Sequence, residues 1–201
     1  MTPEDLTSGP RPAPAPWLTG LPPLVDERTV LLILGSFPGG VSLQKRQYYA
    51  HPQNHFWPIL EAIWGSSPRQ SCASCYEKRS KWLLDHGVGL WDVYAGCERE
   101  GSLDTSIRNA RLNDFAALRT VCPQLAALAH NGAESFRHAP AALAALSAGG
   151  QPTRLPHDVG ASGARPIEAV RLPSTSPANA SWSFERKLTA WADVMARHGL
   201  L

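Results

Sequence analysis

Four short apolar runs, each closed by a loop rich in glycine or polar residues, set most of the limits on what this chain can become. They are residues 29–34 (TVLLIL), 88–94 (VGLWDVY), 125–129 (LAALA) and 168–173 (EAVRLP). The first is apolar from Val30 onward, as a strand covered on both faces requires. Between the runs the apolar period changes to that of a helix. Residues 54–64 place Phe56, Ile59, Leu60 and Ile63 on one face, with Asn54 positioned as an N-cap. Further helices are expected over 74–86, stopped by Gly87, around 113–120, from 133 towards 145, and over 184–198. Strand and helix in alternation mean a parallel sheet covered on both sides, so the expected fold is a three-layer α/β/α sandwich around a mainly parallel four-stranded sheet.

Residues 8–23 (SGPRPAPAPWLTGLPP) contain too much proline for a helix or a central strand. Residues 1–23 therefore read as a flexible lead-in and 24–201 as a single domain. A chain of 201 residues can bury a core without disulfides or metal. No stretch approaches the roughly 20 apolar residues of a membrane span, and the N-terminus lacks the pattern of a secretory signal, so the default expectation is a cytoplasmic protein with no membrane partner. The net charge of +2 is too small to attract nucleic acid as a bulk effect. Any phosphate-binding face must be local, and the candidates are Lys45 with Arg46, the group Lys78, Arg79 and Lys81, and Arg108 with Arg111. Cys72 and Cys75 form half of a metal site, with Cys97 and Cys122 isolated, so neither a metal nor a cofactor is expected.

Ligands of open parallel sheets bind beyond the carboxyl ends of the strands. The loops 35–54, 94–109, 130–132 and 174–181 should therefore meet in one cleft. The first of them (GSFPGGVSLQKRQYYAHPQN) combines glycines that admit a ligand to the backbone, two adjacent tyrosines for stacking, and an asparagine leading into a helix. That mixture suits a planar ligand such as a nucleobase. Gly35 and Ser36 lack the flanks of a nucleophile turn, and residues 35–40 lack both the dinucleotide fingerprint and the Walker lysine. Phe56, Trp57 and His130 read as core residues.

Two segments, GSFPGGVSL followed by YYAHPQNHFW, and LPSTSPANA near the C-terminus, resemble the signature segments of the hypoxanthine-DNA glycosylases within the uracil-DNA glycosylase superfamily. The first is also similar to the mismatch-specific uracil-DNA glycosylases. The resemblance continues through GLWDVY, REGSLDTSIRN and Asn131-Gly132, spanning about residues 28–195. It implies base removal by nucleotide flipping on a DNA partner, by a monomer. Gly35, Ser36, Phe37, Tyr49 and Asn131 would bind the base, Tyr49 by stacking and Asn131 at the base edge. Asn54 would be catalytic, positioning water. The loop of Ser174, Thr175, Ser176, Pro177 and Ala178 would grip the strand.

Phe37 departs from the mismatch-enzyme pattern, standing where those enzymes carry a water-positioning asparagine. The second segment lacks the histidine that many uracil enzymes use on the departing base. No lysine falls in the matched motifs at a position that suggests attack on the sugar, so strand cleavage is not expected. Hypoxanthine, xanthine and uracil remain open as substrates. A uracil or mismatch glycosylase and a non-catalytic base or single-stranded DNA binder are the alternative readings.

Overall fold

A computed structural model describes residues 15–65, 75–148 and 166–201. In chain order the elements are β1 (Trp17–Thr19), β2 (Leu31–Gly35), α1 (Gly40–Lys45), α2 (Phe56–Trp64), α3 (Cys75–Asp85), β3 (Val88–Asp92), β4 (Tyr94–Glu98), β5 (Arg108–Leu112), α4 (Leu118–Val121), β6 (Ala127–Asn131), α5 (Ala133–Phe136), α6 (Ala139–Ala148), β7 (Glu168–Leu172) and α7 (Phe184–Arg197). A 3-10 turn, Asp104–Ser106, precedes β5.

The four apolar runs form one parallel sheet in the order β3-β2-β6-β7. Every residue of β2 and β3 is buried, as the unbroken apolar composition of the first run requires. On one face Leu31, Ile33, Val88, Leu90, Ala127 and Ala129 pack against Phe56, Ile59 and Leu60 of α2, Leu83 of α3, and Trp191, Val194 and Met195 of α7. On the other, Leu32, Leu34 and Leu128 meet Leu118 of α4 and Ala142 and Leu146 of α6. The expected three layers are thus the observed ones.

Four local expectations change. The apolar run 88–94 is two strands. The Val93 and Tyr94 amides donate to the carbonyls of Gly35 and Ser36, and the chain then leaves the parallel sheet for a second, antiparallel one ordered β1-β4-β5. Residues 94–109, read as a loop, supply β4 and the start of β5. The helix expected from 133 is broken between α5 and α6, where Pro140 has no N–H to return to the Phe136 carbonyl. Trp17–Thr19, read as part of the lead-in, pairs with β4 as an edge strand, the place in a sheet that flanking prolines tolerate best.

The segment before β2 crosses β3 at Gly89. There Leu24 exchanges backbone hydrogen bonds with Leu90, and a Cβ on Gly89 would stand 2.8 Å from Val25 Cγ1 and 3.0 Å from the Leu24 carbonyl oxygen. Gly89→Ala is expected to cost about 1–3 kcal/mol through overpacking, read as a lower urea midpoint at unchanged slope. An unchanged midpoint would show that this crossing is soft.

Candidate functional site

Strands β3 and β6 flank β2 on opposite sides, so the connections out of β2 and β6 diverge and leave a crevice at their carboxyl ends. Gly35 ends β2 in register with Asp92 at the end of β3. A Cβ on Gly35 would clash with Asp92 Oδ1 and come within 3.5 Å of the Tyr49 hydroxyl. The missing side chain is therefore what allows a carboxyl and a phenol to share the strand end.

Tyr49 holds the left-handed backbone conformation at φ 53°, uncommon for a residue with a large side chain. Its partly exposed ring stacks on Phe56, with centroids 4.0 Å apart and planes 20° from parallel. Phe56 is braced edge-on by Trp57 and Trp191. The tyrosine is thus a platform with a rigid backing. Its buried hydroxyl faces the Asn131 side chain without a hydrogen bond of good geometry, and burial moves its pKa far up.

Asn131, at the end of β6, uses both ends of its amide on one residue. Its Nδ2 donates to Thr175 Oγ1 and its Oδ1 accepts from the Thr175 amide, each at 2.9 Å. The Thr175 carbonyl then accepts from the His55 amide. Thr175 is fully buried while Pro177 and Ala178 are exposed at the loop tip. Behind the tip, Asn179 Nδ2 donates to the Ser174 carbonyl, and the ammonium of Lys187, a residue 1% exposed, donates to the Asn179 carbonyl. The loop is pinned from three directions.

Between this loop and the approach to α2 lies a groove of about 660 Å³, lined by Asn54, His55, Pro177, Trp182, Phe184 and Lys187, among others. Asn54 Oδ1 accepts the Phe56 amide at 2.9 Å, which fixes the side chain at the groove wall and starts α2. Arg186 lies over the Trp182 ring at 4.5 Å.

Gly35, Tyr49 and Asn131 therefore come together, and Asn54 is carried beside them on the far side of the Thr175 contacts. Ser36 turns away, donating to Asp104 at 2.6 Å. Phe37 is 6% exposed and packs in the core under Arg99, so its ring is a buried wall and not a free stacking surface. Arg79 is no phosphate candidate, being buried, stacked on Trp57 at 4.2 Å and 3.7 Å from Glu61. Lys81 is spent on Asp85, whereas Lys45, Arg46, Arg108 and Arg111 are exposed. Cys72 lies outside the described residues. Among those described, no three His, Cys, Asp or Glu side chains form a group that could hold a metal, and no helix is long and apolar enough to cross a membrane.

His130 is fully buried. Ser135 donates to the Leu34 carbonyl, so the His130 Nδ1–H donates to Ser135, and burial holds the ring neutral with a pKa lowered to about 4. This is a core histidine.

Sequence reasoning missed Asp92. It is 3% exposed, its Oδ2 has no hydrogen-bond partner, and burial pushes its pKa up to about 7, with Asp104 adding to the rise and Arg99 opposing it. An unpaired buried polar atom costs about 1–3 kcal/mol. The signal was present, because Asp92 is the sole charged residue of VGLWDVY.

A model of the uracil DNA glycosylase superfamily matches residues 22–195. A hypoxanthine DNA glycosylase of Methanosarcina barkeri is 41% identical over 121 residues, which make up 60% of this chain and 75% of the relative. One from Methanosarcina acetivorans is 38% identical over 121 residues, with the same shares of both chains. A solution NMR structure from Methanosarcina acetivorans, provisionally assigned as a uracil DNA glycosylase, superimposes with a TM-score of 0.70 at 32% identity, covering 91% of this chain and 99% of that one.

Asp92 also makes stability depend on pH. The unfolded chain releases this proton near the ordinary value of 3.8, the folded chain near 7. Its contribution is full below about pH 4, declines as pH rises, and is gone above about 7. Asp92→Asn, which cannot ionise, should therefore gain on the natural protein between pH 5 and pH 7.5 in urea midpoints. A gap that stays constant across that range would show that Asp92 does not titrate there.

Proposed function

Because the chain belongs to the uracil DNA glycosylase superfamily, we propose that its cleft removes deaminated bases from DNA, hypoxanthine first among them, by hydrolysis of the N-glycosidic bond. The observation that carries this reading is the backed ring of Tyr49, set at the switch point of the sheet between Gly35 and Asn131. A flat base needs such a surface, and it can reach one set in a protein cleft only by leaving the helical stack. The choice of hypoxanthine rests on the similarity to the two Methanosarcina hypoxanthine DNA glycosylases. The partner is DNA, the working unit a monomer, and the location the cytoplasm.

In this reading a base lies on the exposed face of Tyr49 with its edge towards Asn131. That amide keeps one lone pair and one N–H beyond its two bonds to Thr175. Asn54 holds water for the sugar carbon. Its Oδ1 already accepts the Phe56 amide, so the side chain is oriented before any substrate arrives, and a second lone pair and the NH2 group remain for the water. The exposed tip, Pro177 and Ala178, presses against the DNA while Thr175 anchors it to β6. Ser174 and Ser176 are occupied within the loop, each Oγ accepting an amide two residues on. Their contribution is the shape of the tip.

Bond breaking then leaves positive charge on the sugar and negative charge on the base, which fixed dipoles and DNA phosphates stabilise. Lys187 is the lysine that lines the groove, but it is buried and bonded to the Asn179 carbonyl, so it offers no free amine to attack the sugar.

Single-turnover excision on oligonucleotides carrying one hypoxanthine, xanthine or uracil tests this reading. Hypoxanthine should be released fastest, and Asn54→Ala should lower the rate about 100-fold or more. Borohydride should trap no protein–DNA adduct. Release of uracil alone would move the chain to a uracil enzyme, and tight binding without release of any base would make it a binding protein.

A further inference from the structure

The parallel sheet has two unlike margins. At one edge β7 runs into the loop 174–178, and at the other β3 leads into β4 of the small antiparallel sheet. Strands about 4.8 Å apart put those margins about 14 Å from each other. A DNA strand that lies across the carboxyl ends from the loop 174–178 therefore meets the small sheet as it leaves the crevice. That sheet begins at the crevice wall, where the Tyr94 amide donates to the Ser36 carbonyl and Tyr94 is in register with Leu112.

Next along from this pair, Gly96 stands between Thr19 and Arg111, and then Glu98 between Trp17 and Arg108. Leu18 and Cys97 pack into the core, so the alternation of a strand turns Trp17, Gly96 and Glu98 outward, with Arg108 and Arg111 beside them. The Trp17 indole lies across Gly96, where a Cβ would stand 2.8 Å from Cζ2 and 3.1 Å from Cε2. The bare strand lets a large ring lie low while the residue stays 48% exposed. Single exposed apolar side chains are ordinary. Here, however, three of the five large ones among the described residues, Trp17, Leu103 and Leu112, belong to this sheet or to the approach to β5. The cations beside the ring are available. Among the described residues no ion pair takes Arg108 or Arg111, and the Arg108 guanidinium donates only to the neutral carbonyls of Thr105 and Ile107. Glu98 accepts from Asn109 and lies one row further from the crevice than Arg111.

We infer that the outer face of the small sheet is a second DNA-binding site, which takes an unpaired base of the strand flanking the lesion on the Trp17 indole and its phosphate on Arg111. The inference rests on the functional reading above and extends it to the strandedness of the substrate. Duplex bases already stack on their neighbours and hide their faces, whereas any unpaired base can lie on an indole. Gly96 is two residues along β4 from Tyr94, about 7 Å. That is about two nucleotides at the rise of a stacked strand, and fewer in an extended one. A ring and a phosphate contact carry no sequence information, so the site adds affinity without changing which lesion is removed.

The test is binding of lesion-free single-stranded DNA and of its duplex, read by anisotropy of labelled DNA, for the natural protein, Trp17→Ala, Trp17→Phe and Arg111→Ala. Trp17→Ala should weaken single-strand binding about 5- to 100-fold and leave duplex binding unchanged, while Trp17→Phe, which keeps a ring, should retain most of the affinity. Arg111→Ala, which removes an exposed side chain and leaves β1 intact, should weaken single-strand binding and lower its salt slope by about 1. In single-turnover release of hypoxanthine from single strands, both alanine variants should raise the protein concentration at half-maximal rate and keep the limiting rate. Lengthening the strand on one side of the lesion should lower that concentration for the natural protein but not for Trp17→Ala. Equal losses on duplex and single strand, a fall in the limiting rate, or no benefit from a longer strand on either side would overturn the inference. If no base is released from any lesion, the functional reading fails. If bases are released and Trp17→Ala binds single strands as tightly as the natural protein, this inference fails alone.

Discussion

The cleft depends on the double pairing of Leu31–Gly35. This strand is hydrogen-bonded in parallel to β3 on one side and to β6 on the other, and all five of its residues are buried. Three strand ends are thereby brought level, with Gly35, Asp92 and the pair His130–Asn131 at one height. The helices fix the strands by burial of apolar surface on both faces, and the loops inherit their positions from the strand ends. A shift of β2 by one residue would exchange Leu31 and Ile33, which face α2 and α7, with Leu32 and Leu34, which face α4 and α6, so the register has little freedom.

The fold was largely legible because burial on two faces leaves an unmistakable trace, the continuous apolar run, and because Gly87 and the loop at Gly35 punctuate it. What escaped was decided by contacts distant in sequence. Residues 94–112 have weak strand character, and only their pairing with one another and with Trp17–Thr19 makes them a sheet. The break before α6 lies at Pro140, which has no N–H for the carbonyl four residues back.

Gly35, Tyr49, Asn54 and Asn131 stand out in the sequence as candidates, whereas the partners their side chains meet in the fold do not. Nothing in the sequence indicates that Asn131 spends both ends of its amide on Thr175, 44 positions away. The resemblance makes Phe37 a base-binding residue, yet its ring is buried under Arg99, since an aromatic side chain beside an apolar core finds more burial inward. Asp92 was passed over because it lies within an apolar run. A charged side chain in the one kind of segment that has no solvent to offer it is itself informative, since the fold must hold it neutral or give it a partner.

The closeness of Gly35 and Asp92 also makes them a single unit of change. A methyl group at position 35 would stand where Asp92 Oδ1 now lies, so neither residue can be varied as though the other were absent. A lineage that placed any side chain at 35 would have to shorten or turn the one at 92, and one that shortened 92 first would gain room at 35. Substitutions at these two positions are therefore non-additive, and a change at either is accommodated most readily as a paired exchange at adjacent strand ends.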